Sequence, residues 1–71
     1  LPQLTARQIV RALRKDGWEL FNQRGSHQQF IHPEKSGKVT VPFHRSTIPL
    51  ETLKSILNQA GLTAEEFREL L

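Results

Sequence analysis

The stretch Trp18–His32, WELFNQRGSHQQFIH, decides the fold of this 71-residue chain. Aromatic and β-branched residues on both sides of Gly25 predict two antiparallel strands joined by a tight turn. The segment GSHQQF, at positions 25–30, places His27 at the mouth of this hairpin. Because the chain has no cysteine and three histidines, few side chains suit chemistry near neutral pH, and His27 is the best placed.

Two hairpin registers are compatible with the sequence, and they differ in the face to which His27 points. A two-residue turn at Arg24 and Gly25 would put Trp18 on the same face as His27 and would turn Phe30 away from both. That register splits the aromatic core between the two faces of the sheet, so we reject it.

A three-residue loop over 23–25, with Gly25 in the left-handed conformation, pairs Asn22 with Ser26. This register unites the large apolar side chains on one face: Trp18, Leu20 and Phe30. It leaves a second set on the face away from the helices: Glu19, Phe21, His27 and Gln29. We therefore predict that His27 is exposed and lies close to Phe21 across the strands.

Two helices with recognisable ends flank the strand region. Thr5 and Gln8 form a capping box, which predicts a first helix that runs to about Lys15 and stops at Gly17. Apolar residues at helical spacing predict a second helix between Pro49 and Gly61. A second capping box, Thr63 with Glu66, begins a short final helix.

A third strand, Lys38–Phe43, completes an antiparallel meander with Trp18–Gln23 and Ser26–His32. The predicted order is α-β-β-β-α, which indicates an α+β fold with a three-stranded antiparallel sheet, two helices on one face and a short extra C-terminal helix. We expect one domain over residues 1–71. A chain of this length buries roughly 60% of its unfolded surface, so any site should be a surface feature.

The charge balance favours a polyanionic partner. Ten Lys and Arg against seven Asp and Glu give a net charge of +3 and a pI near 10.0, as is common in proteins that bind nucleic acids. Four cations form much of one face of the first helix: Arg7, Arg11, Arg14 and Lys15. A solvated basic surface without a partner explains the charge equally well.

Several site chemistries are disfavoured by residue spacing. Zinc needs three or four converging ligands, but His27 and His32 are five residues apart on one strand and point to opposite faces. The carboxylates show neither metal-loop nor paired-acid spacing. A serine nucleophile at Ser26 is disfavoured because its side chain diverges from that of the adjacent His27.

RNA cleavage requires fewer groups. The ribose 2′-hydroxyl is the nucleophile, so an enzyme needs a base to remove its proton and cations to stabilise the phosphate. Histidine, with an ordinary pKa of about 6.5, serves as such a base near neutral pH. His27 is the candidate base. The candidate RNA-binding residues flank the hairpin or follow the third strand: Arg24, Gly25, Ser26, Lys38, His44 and Arg45. A plain solubilising role is as good an explanation of each cation.

The chain resembles the HicA family of bacterial toxin mRNA interferases, whose fold is like that of a double-stranded-RNA-binding domain. The likeness runs from about Ile9 to Leu62. Four segments carry it in order: LRKDGWEL, GSHQQF followed by His32 and Pro33, VTVP at 39–42, and LETLKSILNQAGL at 50–62.

The resemblance implies that the protein cleaves mRNA, that His27 is required and that a HicB-type antitoxin blocks it. We further expect no cofactor, no metal, no membrane partner, no DNA partner for the chain on its own, and a cytoplasmic location in a bacterium or archaeon. Many relatives have a second histidine where this chain has Gln28, which leaves the general acid unassigned. His44 is a candidate acid, and a capping or solvent-facing role suits it equally well.

Two other functions remain open on the sequence. A pure RNA-binding module would use the same basic surface without catalysis, through phosphate and 2′-hydroxyl contacts. An inactive subunit, retained for its protein partner, would also keep this fold and charge. Loss of cleavage on replacing His27 separates the leading hypothesis from both.

Overall fold

The computed structural model describes residues 3–43 and 47–71. It confirms the α+β class and the α-β-β-β-α order, with three helices in all among the described residues. The elements in chain order are β1 (Leu4–Thr5), α1 (Ala6–Lys15), β2 (Glu19–Arg24), β3 (His27–Ile31), β4 (Val39–Pro42), β5 (Thr47–Ile48), α2 (Leu50–Ala60) and α3 (Ala64–Leu70). The helix and main strand bounds agree with the predicted ones to within one or two residues.

Both capping boxes form as predicted. The Gln8 backbone N–H donates to the Thr5 hydroxyl, and the Thr5 N–H donates to the Gln8 side chain. The same reciprocal bonds join Thr63 and Glu66 at the start of α3. There, the hydrogen bond from the Thr63 backbone N–H lowers the pKa of the Glu66 carboxyl below its ordinary value. The start of each of these two helices therefore satisfies orphan backbone donors locally.

The sheets have two different sizes. Strands β2, β3 and β4 form the predicted three-stranded antiparallel sheet in that order. The short strands β1 and β5 form a separate antiparallel pair that the sequence analysis did not predict, with Leu4 opposite Ile48. Both residues are buried, so this pair ties the segment before α1 to the segment before α2.

The predicted hairpin register is wrong at the turn. Arg24 pairs with His27 around a two-residue turn of Gly25 and Ser26, rather than Asn22 with Ser26 around a three-residue loop. Further along, the register shifts because β2 carries one extra residue, Phe21, between the Leu20 and Asn22 pairs. This β-bulge changes the face to which residues on either side of it point.

The bulge explains how a different turn still yields the predicted core. Leu20 pairs with Phe30, so both point to the helix side, as predicted. Trp18 and Phe30 are fully buried, whereas Leu20 stays 44% exposed because it lies at the margin of the helix layer. The predicted register was based on regular strands. The alternation of side chains along the sequence does not reveal where a bulge adds a residue to one strand.

The core fills the space between the sheet and the helices. Helices α1 and α2 both contact β4, and α3 packs against α1. The largest fully buried side chains come from every layer: Trp18, Phe30, Phe67, Ile9, Leu13, Leu53, Ile56, Val39 and Val41. No helix within residues 3–43 or 47–71 combines the length and apolar character needed to cross a bilayer.

Polar bonds around Asp16 join the ends of three elements. His32, just after β3, places its Nε2 2.6 Å from the Asp16 carbonyl oxygen at the end of α1. Its Nδ1 accepts from the backbone N–H groups of Glu34 and Lys35, so Nε2 is the donor. The Lys35 ammonium lies 2.7 Å from the Asp16 carboxylate and donates to the carbonyl of Ala60, the last residue of α2.

Trp18 completes this group, because its indole N–H donates to the Asp16 carboxylate at 3.1 Å and its ring meets the His32 ring edge-on. We call Asp16, Trp18, His32 and Lys35 the Asp16 cluster. Gly17 lies at its centre with φ +105, and a Cβ atom there would come within 2.6 Å of His32 Nε2. Only glycine therefore allows the close approach of His32.

Replacing Gly17 with alanine should lower the free energy of unfolding by about 2 kcal/mol or more, because the positive φ is strained for alanine and His32 must also move. Urea denaturation measures the loss. Gly61→Ala is the matched control, since its φ is +67 and nothing lies within 4 Å of the added methyl group. Equal losses for the two variants would show that the His32 contact contributes nothing.

Candidate nucleic-acid site

His27 is the first residue of β3 and follows directly on the hairpin turn. Gly25 has φ +58, and Ser26 has a negative φ, which fits a type II′ turn with glycine at its first central position. Phe30 points to the core, so alternation along β3 places His27 on the opposite, helix-free face. The side chain is exposed, as predicted.

The direct neighbours of His27 come from both adjacent strands. Arg24 is its partner on β2, and Pro42 is its partner on β4. Opposite residues of an antiparallel pair have Cβ atoms about 5 Å apart and share one face. The nearest side chain on β2 is therefore Arg24, whereas the predicted neighbour Phe21 lies at the bulge, three residues further along.

The other predicted RNA-binding residues are distributed unevenly around His27. Gly25 and Ser26 form the turn beside it, and the Ser26 carbonyl accepts from the Phe43 backbone N–H at 2.6 Å. Lys38 lies at the far end of the sheet, four residues before the strand partner of His27. This corresponds to a separation of about 13 Å along the strand. His44 and Arg45 lie outside the described residues.

Lys38 is instead associated with the bulge. Its Nζ lies 5.1 Å from the centroid of the Phe21 ring, a distance suited to a cation–π contact. Phe21 and Ile31 are both substantially exposed, so this end of the helix-free face is partly apolar. The structure thus separates two of the predicted cations: Arg24 lies next to His27 and Lys38 does not.

His32, the other histidine among the described residues, stabilises the fold and is not part of the site. His32 uses both ring nitrogens in bonds to backbone groups, which leaves no free ring nitrogen for a ligand. Within residues 3–43 and 47–71, no group of three or more His, Asp and Glu side chains converges on one point.

A basic groove lies on the helix side of the sheet, between α1 and the end of the hairpin. Its volume is about 590 Å³, and we call it the α1 groove. Four of its lining residues are the α1 cations, and the other three are apolar or neutral: Arg7, Arg11, Arg14, Lys15, Val10, Gln28 and Phe43. Among the described residues, no carboxylate lines it. Gln28 is the residue directly after His27, so the groove reaches the hairpin end at which His27 lies.

The sequence analysis placed the four cations on one helix face but did not include them among the site residues. The spacing i, i+4, i+7 and i+8 was the available signal, because it puts the side chains on one side of a helix. The spacing does not predict which residues of the sheet contact this face of α1. Gln28 and Phe43 approach α1 only through tertiary packing, and that approach turns a charged helix face into a groove.

The arrangement near His27 offers an exposed imidazole with a guanidinium directly across the strand pair. An imidazole is able to accept a proton, and a guanidinium binds phosphate oxygens through its forked donors. The site is open to a large ligand, since it lies on a surface and not in an enclosed cavity. A polymer with repeating phosphates would find cations on both sides of the hairpin end.

The chain matches a known protein family. The family model described as "HicA toxin of bacterial toxin-antitoxin" matches residues 6–62, which cover most of the chain. The matched range includes the Asp16 cluster, the hairpin with His27 and all of α2. No curated protein is a significant match to the chain.

Proposed function

This chain belongs to the HicA family of toxins of bacterial toxin–antitoxin systems, and we propose that it is a metal-independent endoribonuclease that cleaves mRNA with His27 as its base. The observation that carries the proposal is the position of His27, exposed on the helix-free face directly opposite Arg24. The whole chain, residues 1–71, would act as one RNA-cleaving domain.

The proposed reaction needs no external nucleophile. His27 takes the proton of the ribose 2′-hydroxyl, and the 2′-oxygen then attacks the adjacent phosphorus. The bond to the 5′-oxygen breaks, and that oxygen receives a proton from a general acid. The products are a 2′,3′-cyclic phosphate and a 5′-hydroxyl. Arg24 is placed to stabilise the negative charge that develops on the phosphate.

The general acid is not assigned among the described residues. Gln28 stands directly after His27 and has no proton of suitable acidity to donate. We keep His44 as the candidate acid from the sequence analysis, together with Arg45 as a phosphate contact. Both follow the strand β4 whose residue Pro42 pairs with His27.

The toxin–antitoxin family implies an antitoxin as partner. We propose that this partner is a HicB-type protein and that the complex acts in the cytoplasm. An antitoxin that covers the helix-free face would remove His27 from access to RNA. The alternative of a non-catalytic RNA-binding module shares the basic surface, and it predicts RNA binding that does not lead to strand cleavage.

The variant His27→Ala should lower the rate of RNA cleavage by about 100-fold or more, the usual contribution of a positioned base. Its free energy of unfolding should stay within about 0.5 kcal/mol of the parent value, because the side chain is exposed. Cleavage of a labelled mRNA and growth arrest on expression are the two measurements. Gln29→Ala, on the same strand and face, is the control and should cleave normally. Cleavage by His27→Ala at the parent rate would refute the assignment.

The cations Arg24 and Lys38 should respond differently to neutralisation. Arg24→Gln should lower kcat by about 10-fold or more, because it removes a charge next to the reacting phosphate. Lys38→Gln should leave kcat unchanged, since Lys38 lies about 13 Å along the sheet from His27. Steady-state kinetics on one RNA substrate compares the two. If both variants lowered kcat equally, the position of a cation relative to His27 in the sheet would not determine its contribution to catalysis.

The ends of the cleaved RNA distinguish the proposed reaction from metal-assisted hydrolysis. We expect a 5′-hydroxyl and a 2′,3′-cyclic phosphate, formed at the same rate in the presence and absence of EDTA, because the 2′-oxygen is the nucleophile. Labelling of the 5′ ends with a polynucleotide kinase, with and without prior phosphatase treatment, identifies the product. A 5′-phosphate product or inhibition by EDTA would argue for a metal-activated water instead.

A further inference from the structure

The α1 groove concentrates positive charge without compensation. Within residues 3–43 and 47–71, four Lys and Arg side chains line it and no carboxylate does. The single ion pair found among the described residues joins Lys35 to Asp16, outside the groove. These four exposed charges repel one another, and an anion bound among them would relieve that repulsion.

The spacing of the cations suits a chain of phosphates. A rise of 1.5 Å per residue places Arg7 and Arg11 about 6 Å apart along the helix axis, and Arg14 a further 4.5 Å or so along. All three side chains are long and exposed. They form a row along α1 in place of a single cluster, which fits an extended polyanion better than one isolated phosphate.

The groove reaches the hairpin turn, and the proposed reaction centre lies at this turn on the other face of the sheet. Gln28, on its wall, is the sequence neighbour of His27. Phe43, also on its wall, is held to the hairpin turn by the hydrogen bond from its N–H to the Ser26 carbonyl. A chain that leaves the groove at this end therefore reaches the turn, from which His27 and Arg24 face the opposite side of the sheet.

We propose that the α1 groove binds the phosphate backbone of the RNA strand beside the cleavage point. This inference rests on the proposed function, and it assigns α1 as the element that holds the substrate. The cations contact phosphates and not base edges, so the groove contributes affinity without sequence preference. In the part of the chain that the structure describes, Val10 and Phe43 are the apolar residues among a majority of cations, so the groove suits a polyanion better than an apolar peptide.

The test measures RNA binding by the full chain in the His27→Ala background, where the RNA stays intact. The double variant Arg7→Gln/Arg11→Gln should bind a labelled single-stranded RNA oligonucleotide more weakly. It should also show a log–log dependence of affinity on salt that is less steep by about 1.4, since each lost phosphate contact to a single strand removes about 0.7. Raising the salt concentration from about 50 to about 200 mM should therefore weaken RNA binding by the double variant about sevenfold less than it weakens binding by the parent.

The matched control is Lys54→Gln/Arg68→Gln, which lowers the net charge equally at two exposed positions outside the groove. It should keep the parent affinity and salt slope. Arg7→Lys/Arg11→Lys, which keeps both charges, should restore most of the binding. Equal weakening in the groove and control variants would overturn the proposal, because net charge alone would then explain the binding.

Other results would overturn it as well: unchanged RNA binding by the groove variant, no RNA binding by the full chain, or loss of antitoxin binding with RNA binding intact. The last result would identify the groove as a protein-docking surface. A chain that binds RNA through the groove but never cleaves it would refute the proposed function and leave this inference standing. In a cleaving chain, the groove variant should raise KM and leave kcat unchanged.

Discussion

The hydrogen bond between His32 and Asp16 joins the end of α1 to the end of β3, and the rest of the structure depends on this connection. The Asp16 carboxylate also accepts from Trp18 and from Lys35, which in turn reaches the last carbonyl of α2. Asp16, through its backbone carbonyl and its carboxylate, thus connects the ends of two helices and one strand. Because these bonds are partly buried, each is worth more than its solvent-exposed equivalent.

The Asp16 cluster acts together with the hydrophobic core to hold α1 on the sheet. The cluster joins the end of α1 to the end of β3, and the buried face of α1 packs against β4 and α3. The exposed cations of α1 then lie beside Gln28 and Phe43, which line the other side of the α1 groove. Gly17 matters because it permits the His32 contact that adds to this packing.

Whether a structural feature is predictable from the sequence depends on how far apart in the chain the residues that determine it lie. The two capping boxes, the glycine stops and the helix bounds depend on neighbours within four residues, and the sequence analysis found them. The exposure of His27 and the aromatic core were also correctly predicted. The turn at Gly25 and Ser26 was not, because the bulge at Phe21 arises from pairing between strands. The α1 groove escaped prediction for a related reason, since its second wall comes from residues distant in sequence.

The bulge at Phe21 divides the hairpin into two segments, and the hydrophobic core constrains the side chains of these segments to different degrees. On the side nearer Trp18, alternation is dictated by the core, and a polar replacement at an inward position would be costly. Between Asn22 and the turn, the side chains of β2 are exposed, so packing in the core does not constrain them. Substitutions at Asn22 and Gln23, which are both exposed, should therefore leave the hydrophobic layer unchanged. Gly25 is constrained by its turn and His27 by its proposed role, so the sequence requirements in this part of the hairpin come from the site and not from the core.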